Sequence, residues 1–513
     1  METENKSILN DVPCKPSVGR NRLVFALLIV WLGSFLVHDL SRHDASGLMV
    51  SIMRNWEQYG FVHLKGQFVG NPGGIAAGEE PEIYRGHRPA CLFPSYAVGH
   101  FFGGAGVSTL PFLLLLSTLT TTAIWFFLRK NSLALVCAVL VPLCYGYTQC
   151  ARSYDPIGIT IVLGIPWMVI SVLLICTERK AAILTGVVLM GVYSQLNWPV
   201  VFPLAAASVY LIVRLQKRPL VVLSFILVAL AGLAAVTYST VSAKIPSNLA
   251  GEQPHDLLWQ TYLWGANGYD GHGMTLGKML VRNVLTTTPG LLPVFLLLGF
   301  LCLRGGVPRN QVLLSLAPLA VSVIGVLGMR NLFGHHPWMS GPPVLCGTLF
   351  SIGLLQLHGG SFDLILRRAA AWIAVGVAYC LLWVAVLAAC NANTYTLGSL
   401  VSKNTQRGSL IVLMPDVGPA FYDAGPRWTE IFDRKVVRYA DWMAGGKKDQ
   451  ASVIEFSSKA ELEGRHPFAR SSELGKFDHL LMQAIGYYRT RISKRAAGDC
   501  LETGEAYYLY HVN

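Results

Sequence analysis

Near-continuous apolar runs of roughly 16 to 22 residues recur along the chain, separated by short polar connections. That length matches a hydrocarbon slab of about 30 Å at about 1.5 Å of rise per helical residue. The runs predict spans over Leu23 to Leu40, Val107 to Leu128, Ser132 to Thr148, Ile157 to Cys176, Ala181 to Gln195 and Pro199 to Val213. They continue with Leu220 to Val241, Leu285 to Leu303, Val312 to Leu327, Pro337 to Leu357 and Ala369 to Cys390, about eleven in all. Leu92 to Phe102 is apolar and aromatic, but a helix of about 11 residues reaches only about 16 Å, so it predicts an element lying in the interface.

Two other regions carry different patterns. From Ser46 to Tyr59, Leu48, Ile52, Trp56 and Tyr59 recur three or four apart, which predicts an amphipathic helix on the membrane surface with Asp44 at its start. Past the last span, Gly408 to Met414, Lys476 to Met482 and Ala506 to Val512 read as strands of a small α/β domain. The predicted class is therefore a mostly α, polytopic membrane protein with a small C-terminal extracytoplasmic α/β domain. Residues 1–22 form a cytoplasmic amino terminus, 23–391 a transmembrane domain with outer loops 41–106 and 242–284, and 392–513 the α/β domain.

Composition agrees: 513 residues, 53% hydrophobic, 14% charged and a mean hydropathy of +0.46 exceed what a water-soluble core needs. Charge orients the chain, because Lys and Arg in short loops stay on the cytoplasmic side. With the amino terminus inside, the inner loops carry Arg129-Lys130, Arg179-Lys180, Arg214 with Lys217-Arg218, Arg304 with Arg309, and Arg367-Arg368. Counting Leu92 to Phe102 as a crossing would move the pairs from Arg129 onward outside. Two short spans flank Asn197-Trp198-Pro199, because one helix across both would put neighbouring basic loops on opposite faces. Topology thus explains most of the net charge of +12, which is no argument for a nucleic-acid partner. The first run follows Lys15, Arg20 and Arg22 but ends in no small-x-small cleavage site, so it is expected to be retained. The eleven cysteines lie mostly in apolar runs without C-x-x-C spacing, Cys91 and Cys500 being outer exceptions.

Two acidic residues sit just beyond apolar spans on the outer side, Asp44 and Asp155. Asp44 is also placed to cap the following helix, and Asp155, before Pro156, to cap its own. Glu79, Glu80, Glu82 and Tyr84 lead into Gly86-His87-Arg88-Pro89. His255-Asp256, Asp270 with His272, and His335-His336 are further outer groups that suit a divalent metal together with Glu82 and Asp155; Glu82, Asp155, His255 and His272 are the metal candidates. Tyr262, Trp264 and Tyr269 fit either sugar stacking or interfacial anchoring.

The stretches HDASGLMVSIMRNW at His43 to Trp56, GHRPACLFPSYAVGHFFG at Gly86 to Gly103, and YTQCARSYDP at Tyr147 to Pro156 occur in the order seen in GT-C membrane glycosyltransferases. The chain resembles the group similar to protein O-mannosyltransferases and lipid A aminoarabinose transferases, with motif resemblance over the N-terminal 220 residues and topology alone beyond. The resemblance implies sugar transfer from a polyprenyl-phosphate donor to an extracytoplasmic acceptor at the outer interface of the plasma (inner) membrane. It implies that Asp44 is the base and that Asp155 orients the base, binds acceptor or bridges to a cation. His43, Glu82, Tyr84, His87, Arg88, Arg152, Tyr154 and Arg282 become substrate-binding candidates. The chain departs from the family in having His43-Asp44 for adjacent Asp-Glu and His87-Arg88-Pro89 for His-Pro-Pro. It also has Asn197-Trp198 where a Lys often follows the fifth span, which leaves Arg88, Arg152 or Arg282 to meet the donor phosphate.

A transporter or flippase of a lipid-linked glycan is the rival class. It would show internal repeats, broken spans and midplane ionisable residues; the sequence has no clear repeat, and its charges gather at one face. A non-catalytic envelope assembly protein is the third, kept open by the altered His43-Asp44 pair.

Overall fold

The computed structural model describes residues 48–64, 66–71, 73–75, 81, 92–93, 96–97, 100, 156–195, 200–241, 276–304, 306–329, 340–359, 378, 401, 405–413, 434–445, 451–456, 469–470 and 507–512. The described chain is mostly helical. It divides into two compact units, one built around residues 113–380 and the other from residues 34–85, 92–112 and 381–513.

In the second unit, α1 spans Leu48–Tyr59, inside the predicted amphipathic segment. The described helices of the first unit are α2 (Pro156–Ile175), α3 (Lys180–Ser194), α4 (Val201–Arg214), α5 (Pro219–Val241), α6 (Leu276–Arg304), α7 (Arg309–Ser315), α8 (Ala317–Gly328) and α9 (Gly341–Leu357). Where the hydropathy pattern predicts one span over Val312 to Leu327, the structure has two helices meeting at 44°. Pro318 explains the break: it lacks an N–H and its ring would collide with the carbonyl four residues back, so it sits in the first turn of a new helix. The exposed ladder is partly satisfied from α9, whose Ser351 hydroxyl accepts the Leu319 N–H at 3.2 Å. Helix α6 begins nine residues before the predicted Leu285. Among the described residues no single helix is long and apolar enough to cross a membrane; the bent pair α7 and α8 is, by length and composition. The spans predicted over Leu23 to Leu40, Val107 to Leu128, Ser132 to Thr148 and, apart from residue 378, Ala369 to Cys390 lie outside the described residues.

Helix α9 is the centre of this unit: residues Gly341 to Leu355 are all buried, against α4, α6 and α8. Small residues let the backbones approach. A Cβ on Gly347 would stand 2.8 Å from the Leu319 Cα and the Pro318 carbonyl, and one on Gly186 of α3 would stand 2.7 Å from the Ser171 carbonyl of α2. Such close approach holds helices together by dispersion even where the surroundings are as apolar as the interface.

Outward, the unit is apolar too. Leu184, Val188 and Val192 form an exposed stripe on α3, and Leu220, Leu223, Leu227 and Leu230 another on α5. At one end, the Arg218 guanidinium before α5 donates to the Thr177 carbonyl at 3.1 Å and lies 3.5 Å from the Glu178 carboxylate. The loops after α2 and after α4 therefore share one end of the unit, as the two separate helices α3 and α4 between them require.

The second unit holds a five-stranded mixed sheet in the order β2-β1-β3-β5-β4. Its strands are β1 (Leu410–Leu413), β2 (Lys435–Arg438), β3 (Ala451–Phe456), β4 (Ala469–Arg470) and β5 (Tyr507–Val512). Strand β1 pairs in parallel with β2 and β3, whereas β5 runs antiparallel to β3 and β4. Ile411, Val412 and Leu413 are fully buried, as a parallel strand covered on both faces should be. The short helix α10 (Tyr439–Ala444) follows β2 and touches β1 and β2, burying Trp442. Strands β1 and β5 fall within the predicted Gly408 to Met414 and Ala506 to Val512 segments; Lys476 to Met482 lies outside the described residues.

Candidate functional site

Helix α1 carries two side-by-side stripes with the same i, i+4, i+7 spacing, one apolar (Ile52, Trp56, Tyr59) and one polar (Ser51, Asn55, Gln58). Ile52 and Trp56 are fully buried, and so are Ser51 and Asn55. A helix lying loosely on a surface would leave the whole polar stripe in water; here Ser51 and Asn55 are enclosed while Gln58 stays exposed, so the buried polar groups need partners.

The loop after α1 supplies some of them. The Asn55 side-chain amide donates to the Val69 carbonyl at 2.8 Å and the Asn71 carbonyl at 3.0 Å. The Trp56 indole donates to the Gln67 carbonyl at 2.6 Å. The Tyr59 hydroxyl accepts the Ile75 N–H at 2.6 Å and donates to the Ile75 carbonyl at 3.0 Å. Residues 67–75 are thereby folded back along α1 and delivered to the start of the acidic segment Glu79 to Tyr84.

Gln58, the Asn55 Oδ1 and the Ser51 backbone carbonyl are met from far along the chain, whereas the buried Ser51 hydroxyl has no partner among the described residues. Arg407 donates from one guanidinium nitrogen to the Gln58 Oε1 at 2.8 Å, and from the other to the Asn55 Oδ1 at 2.8 Å and the Ser51 carbonyl at 3.2 Å. A planar fork of donors suits three acceptors on one helix face, where a lysine ammonium would not.

An aromatic cluster covers the other side of Trp56. Phe61, Phe68, Phe93 and Tyr96 surround its ring at centroid distances of 5.0, 5.8, 6.1 and 5.3 Å, and His100 stacks on Tyr96. Residues 93, 96–97 and 100 have helical backbone, and the Tyr96 N–H donates to the Leu92 carbonyl at 2.9 Å, in keeping with the short aromatic helix predicted there. Burial raises the Tyr96 phenol above its ordinary range, and the Glu57 carboxylate adds to the rise.

The predicted chemistry is placed less completely. Asp44, Asp155, His43, Glu82, Tyr84, His87, Arg88, Arg152, Tyr154, His255 and His272 lie outside the described residues. So do Glu79, Glu80, Asp256, Tyr262, Trp264, Tyr269, Asp270, His335, His336, Cys91 and Cys500. Arg282 lies on the α6 backbone, its side chain outside the described residues. Among the described residues no group of three or more His, Cys, Asp or Glu stands in metal-binding array. What the structure does bring together is the frame: α1, which begins four residues after Asp44, and the loop that ends four residues before Glu79. Asn55 and Arg407 were not legible as its fasteners. Asn55 has a faint signal, being one of three polar residues at helical spacing beside an apolar stripe, but Arg407 has none.

The chain matches no family model, and no curated protein matches it in sequence. Among solved structures it is similar to ArnT from Cupriavidus metallidurans bound to undecaprenyl phosphate, with 13% identity over 87% of this chain and 95% of that one, at a TM-score of 0.49. It is also similar to the apo state of the same protein, with 12% identity over 86% and 94% of the two chains, at a TM-score of 0.43. Both superpositions are loose, so the functional reading rests on the residues.

Proposed function

We propose that the chain is a multi-pass plasma (inner) membrane glycosyltransferase of the GT-C type. It moves a hexosyl or pentosyl group from a polyprenyl-phosphate donor to an extracytoplasmic acceptor, with its amino terminus inside and its carboxyl terminus outside. The observation that carries this reading is α1: the segment that follows Asp44 in the family-like stretch is a formed helix with Ile52, Trp56, Ser51 and Asn55 buried. It is fastened through Asn55, Trp56 and Tyr59 to the following loop and through Asn55 and Gln58 to Arg407. A base that acts on a bound hydroxyl must be held within hydrogen-bond reach, and a fastened helix is the element to hold it. The exposed leucine and valine stripes of α3 and α5 support the membrane setting, since contiguous apolar surface is stable against lipid chains and costly against water. The shared end of the two basic loops agrees with their assignment to one face.

In this reading the donor's lipid lies in the bilayer and its sugar at the outer interface. The Asp44 carboxylate takes the proton of the acceptor hydroxyl as that oxygen bonds to the anomeric carbon. The bond from that carbon to the phosphate oxygen breaks, and its electron pair leaves with the polyprenyl phosphate. Charge builds on the phosphate, so a cation belongs there. Arg88, Arg152 or Arg282 would supply it, or a divalent ion held among Glu82, Asp155, His255 and His272. Asp155 would orient the base or bind acceptor, and His43, Tyr84, His87 and Tyr154 would line the substrate.

The test compares lipid-linked sugars and envelope glycans by mass spectrometry in native cells carrying wild type or Asp44→Asn at equal membrane abundance. Loss of a general base lowers rates by roughly 10²- to 10⁴-fold, so one glycan modification should vanish and its polyprenyl donor accumulate. Matching profiles would overturn the assignment of Asp44 and favour transport or assembly.

A further inference from the structure

We propose that Arg407 is a positioning residue for the transfer, through which the C-terminal sheet orders the outer segment between α1 and the acidic loop; this rests on the transferase reading above. The observations form a continuous physical path. Arg434, which is buried and immediately precedes β2, donates from Nε to the Thr405 Oγ1 at 3.0 Å and from Nη2 to the Thr405 carbonyl at 2.7 Å. Thr405 is itself tied back to the Val401 carbonyl through both its N–H and its hydroxyl. The next residues make a tight turn, in which the Ser409 N–H donates to the Gln406 carbonyl at 3.1 Å and Gly408 adopts a φ of +94°. A positive φ at the third turn position is glycine's to occupy. The turn thus fixes the direction of Arg407 one residue after it leaves Gln406 and three before β1 begins.

From that fixed point the chain reaches the outer segment twice. The Arg407 guanidinium spans Ser51, Asn55 and Gln58 across two turns of α1. A Cβ on Gly408 would stand 3.6 Å from the Gly73 carbonyl, so the turn passes within a side chain's width of the loop itself. Asn55 joins the two contacts, accepting from Arg407 while donating to the carbonyls of Val69 and Asn71. A half-buried guanidinium bonded to the buried Asn55 amide favours one geometry, because a shift leaves the Asn55 Oδ1 without its charged donor. The tail therefore acts on chemistry at a distance: it sets the helix that follows Asp44 and the loop that precedes Glu82, without touching substrate.

The test uses the full-length protein in lipid nanodiscs, with Arg407→Ala, Arg407→Lys and Gln58→Ala, read two ways. Hydrogen exchange is followed in peptides covering residues 66–75 and in those covering β1 and β3, and the glycan modification lost in Asp44→Asn is measured in cells at equal membrane abundance. In Arg407→Ala, exchange over 66–75 should rise roughly tenfold or more while β1 and β3 keep their protection. Product should fall roughly fivefold or more. Arg407→Lys should recover part of both, and Gln58→Ala, which removes one acceptor, should lose less than either. Unchanged exchange over 66–75 in both Arg407 variants would overturn the inference, and so would raised exchange with wild-type product. If Arg407→Ala unfolds the sheet as well, the lysine and Gln58 variants decide. If Asp44→Asn leaves every glycan unchanged, the transferase reading fails, and the exchange data still report whether the latch exists.

Discussion

The two units differ in where most of their described polar side chains find partners. In the helical unit many hydroxyls turn inward on their own helix: Ser171, Thr185, Ser208, Ser224, Ser315 and Thr348 each donate to the carbonyl four residues back, at 2.7 to 2.9 Å, while Ser351 accepts from Leu319 of another helix. In the mixed unit the fasteners reach far along the chain, from Asn55 to the 69–71 loop, from Tyr59 to Ile75, and from Arg407 to α1 across some 350 residues. The contrast follows from solvent. Where the surroundings are apolar, a polar group must find its partner within its own helix before it meets its neighbours. Where water is at hand during folding, a polar group can wait for a distant partner and then specify a single arrangement.

The comparison is broken most severely at Asn55. Asn55→Ala takes the amide from two buried carbonyls and one acceptor from Arg407, which should cost about 3 kcal/mol locally. Hydrogen exchange should register the loss over residues 66–75 and leave α8 and α9 unaltered. A loss spread evenly over both units would erase the distinction drawn between them.

In the helical unit the corresponding weak point is packing. Gly347→Val puts a branched side chain against the Leu319 Cα and the Pro318 carbonyl, and overpacking of this kind costs about 1 to 3 kcal/mol. The loss should appear as a lowered thermal midpoint in detergent, with the 66–75 segment still protected. An unchanged midpoint would mean that α8 and α9 separate freely, contrary to the close approach described.

The smallest effect belongs to Tyr96. Its folded pKa is raised, chiefly by burial and secondarily by Glu57. The unfolded chain therefore loses this proton first as pH rises, and the stabilisation is complete below about pH 10 and declines above it toward the folded value. Tyr96→Phe should flatten the alkaline fall in stability of the mixed unit. Equal slopes for wild type and variant would show that the ring's surroundings do not disfavour its charge.

Reading residues in order recovered the helices whose pattern is local. Helices α3, α4 and α5 start and stop within a residue or two of the predicted runs, because length, apolarity and the flanking basic loops suffice to set them. Span Val312 to Leu327 shows the limit: Pro318 lay in plain view, yet whether a proline kinks a helix or restarts it depends on an acceptor such as the Ser351 hydroxyl from another helix. At the candidate site, the apolar stripe of α1 was legible and the burial of its polar neighbours was not, since Ser51 and Asn55 look like part of an ordinary wetted face until something covers them. The chemistry-bearing residues from Asp44 to Arg282 rest on motif and charge alone.

By itself, then, the sequence determined the mostly helical character, the placement of α2 to α5 and the existence of α1 and β1, all of which follow from periodicity and run length within a few residues. Only the tertiary structure decided that α1 buries Ser51 and Asn55, that the loop after it folds back onto Asn55, Trp56 and Tyr59, and that Arg407 bonds the same helix. The physical reason is that burial of a polar group is favourable only once a partner of matching geometry arrives, and nothing local to Asn55 or Arg407 announces the other.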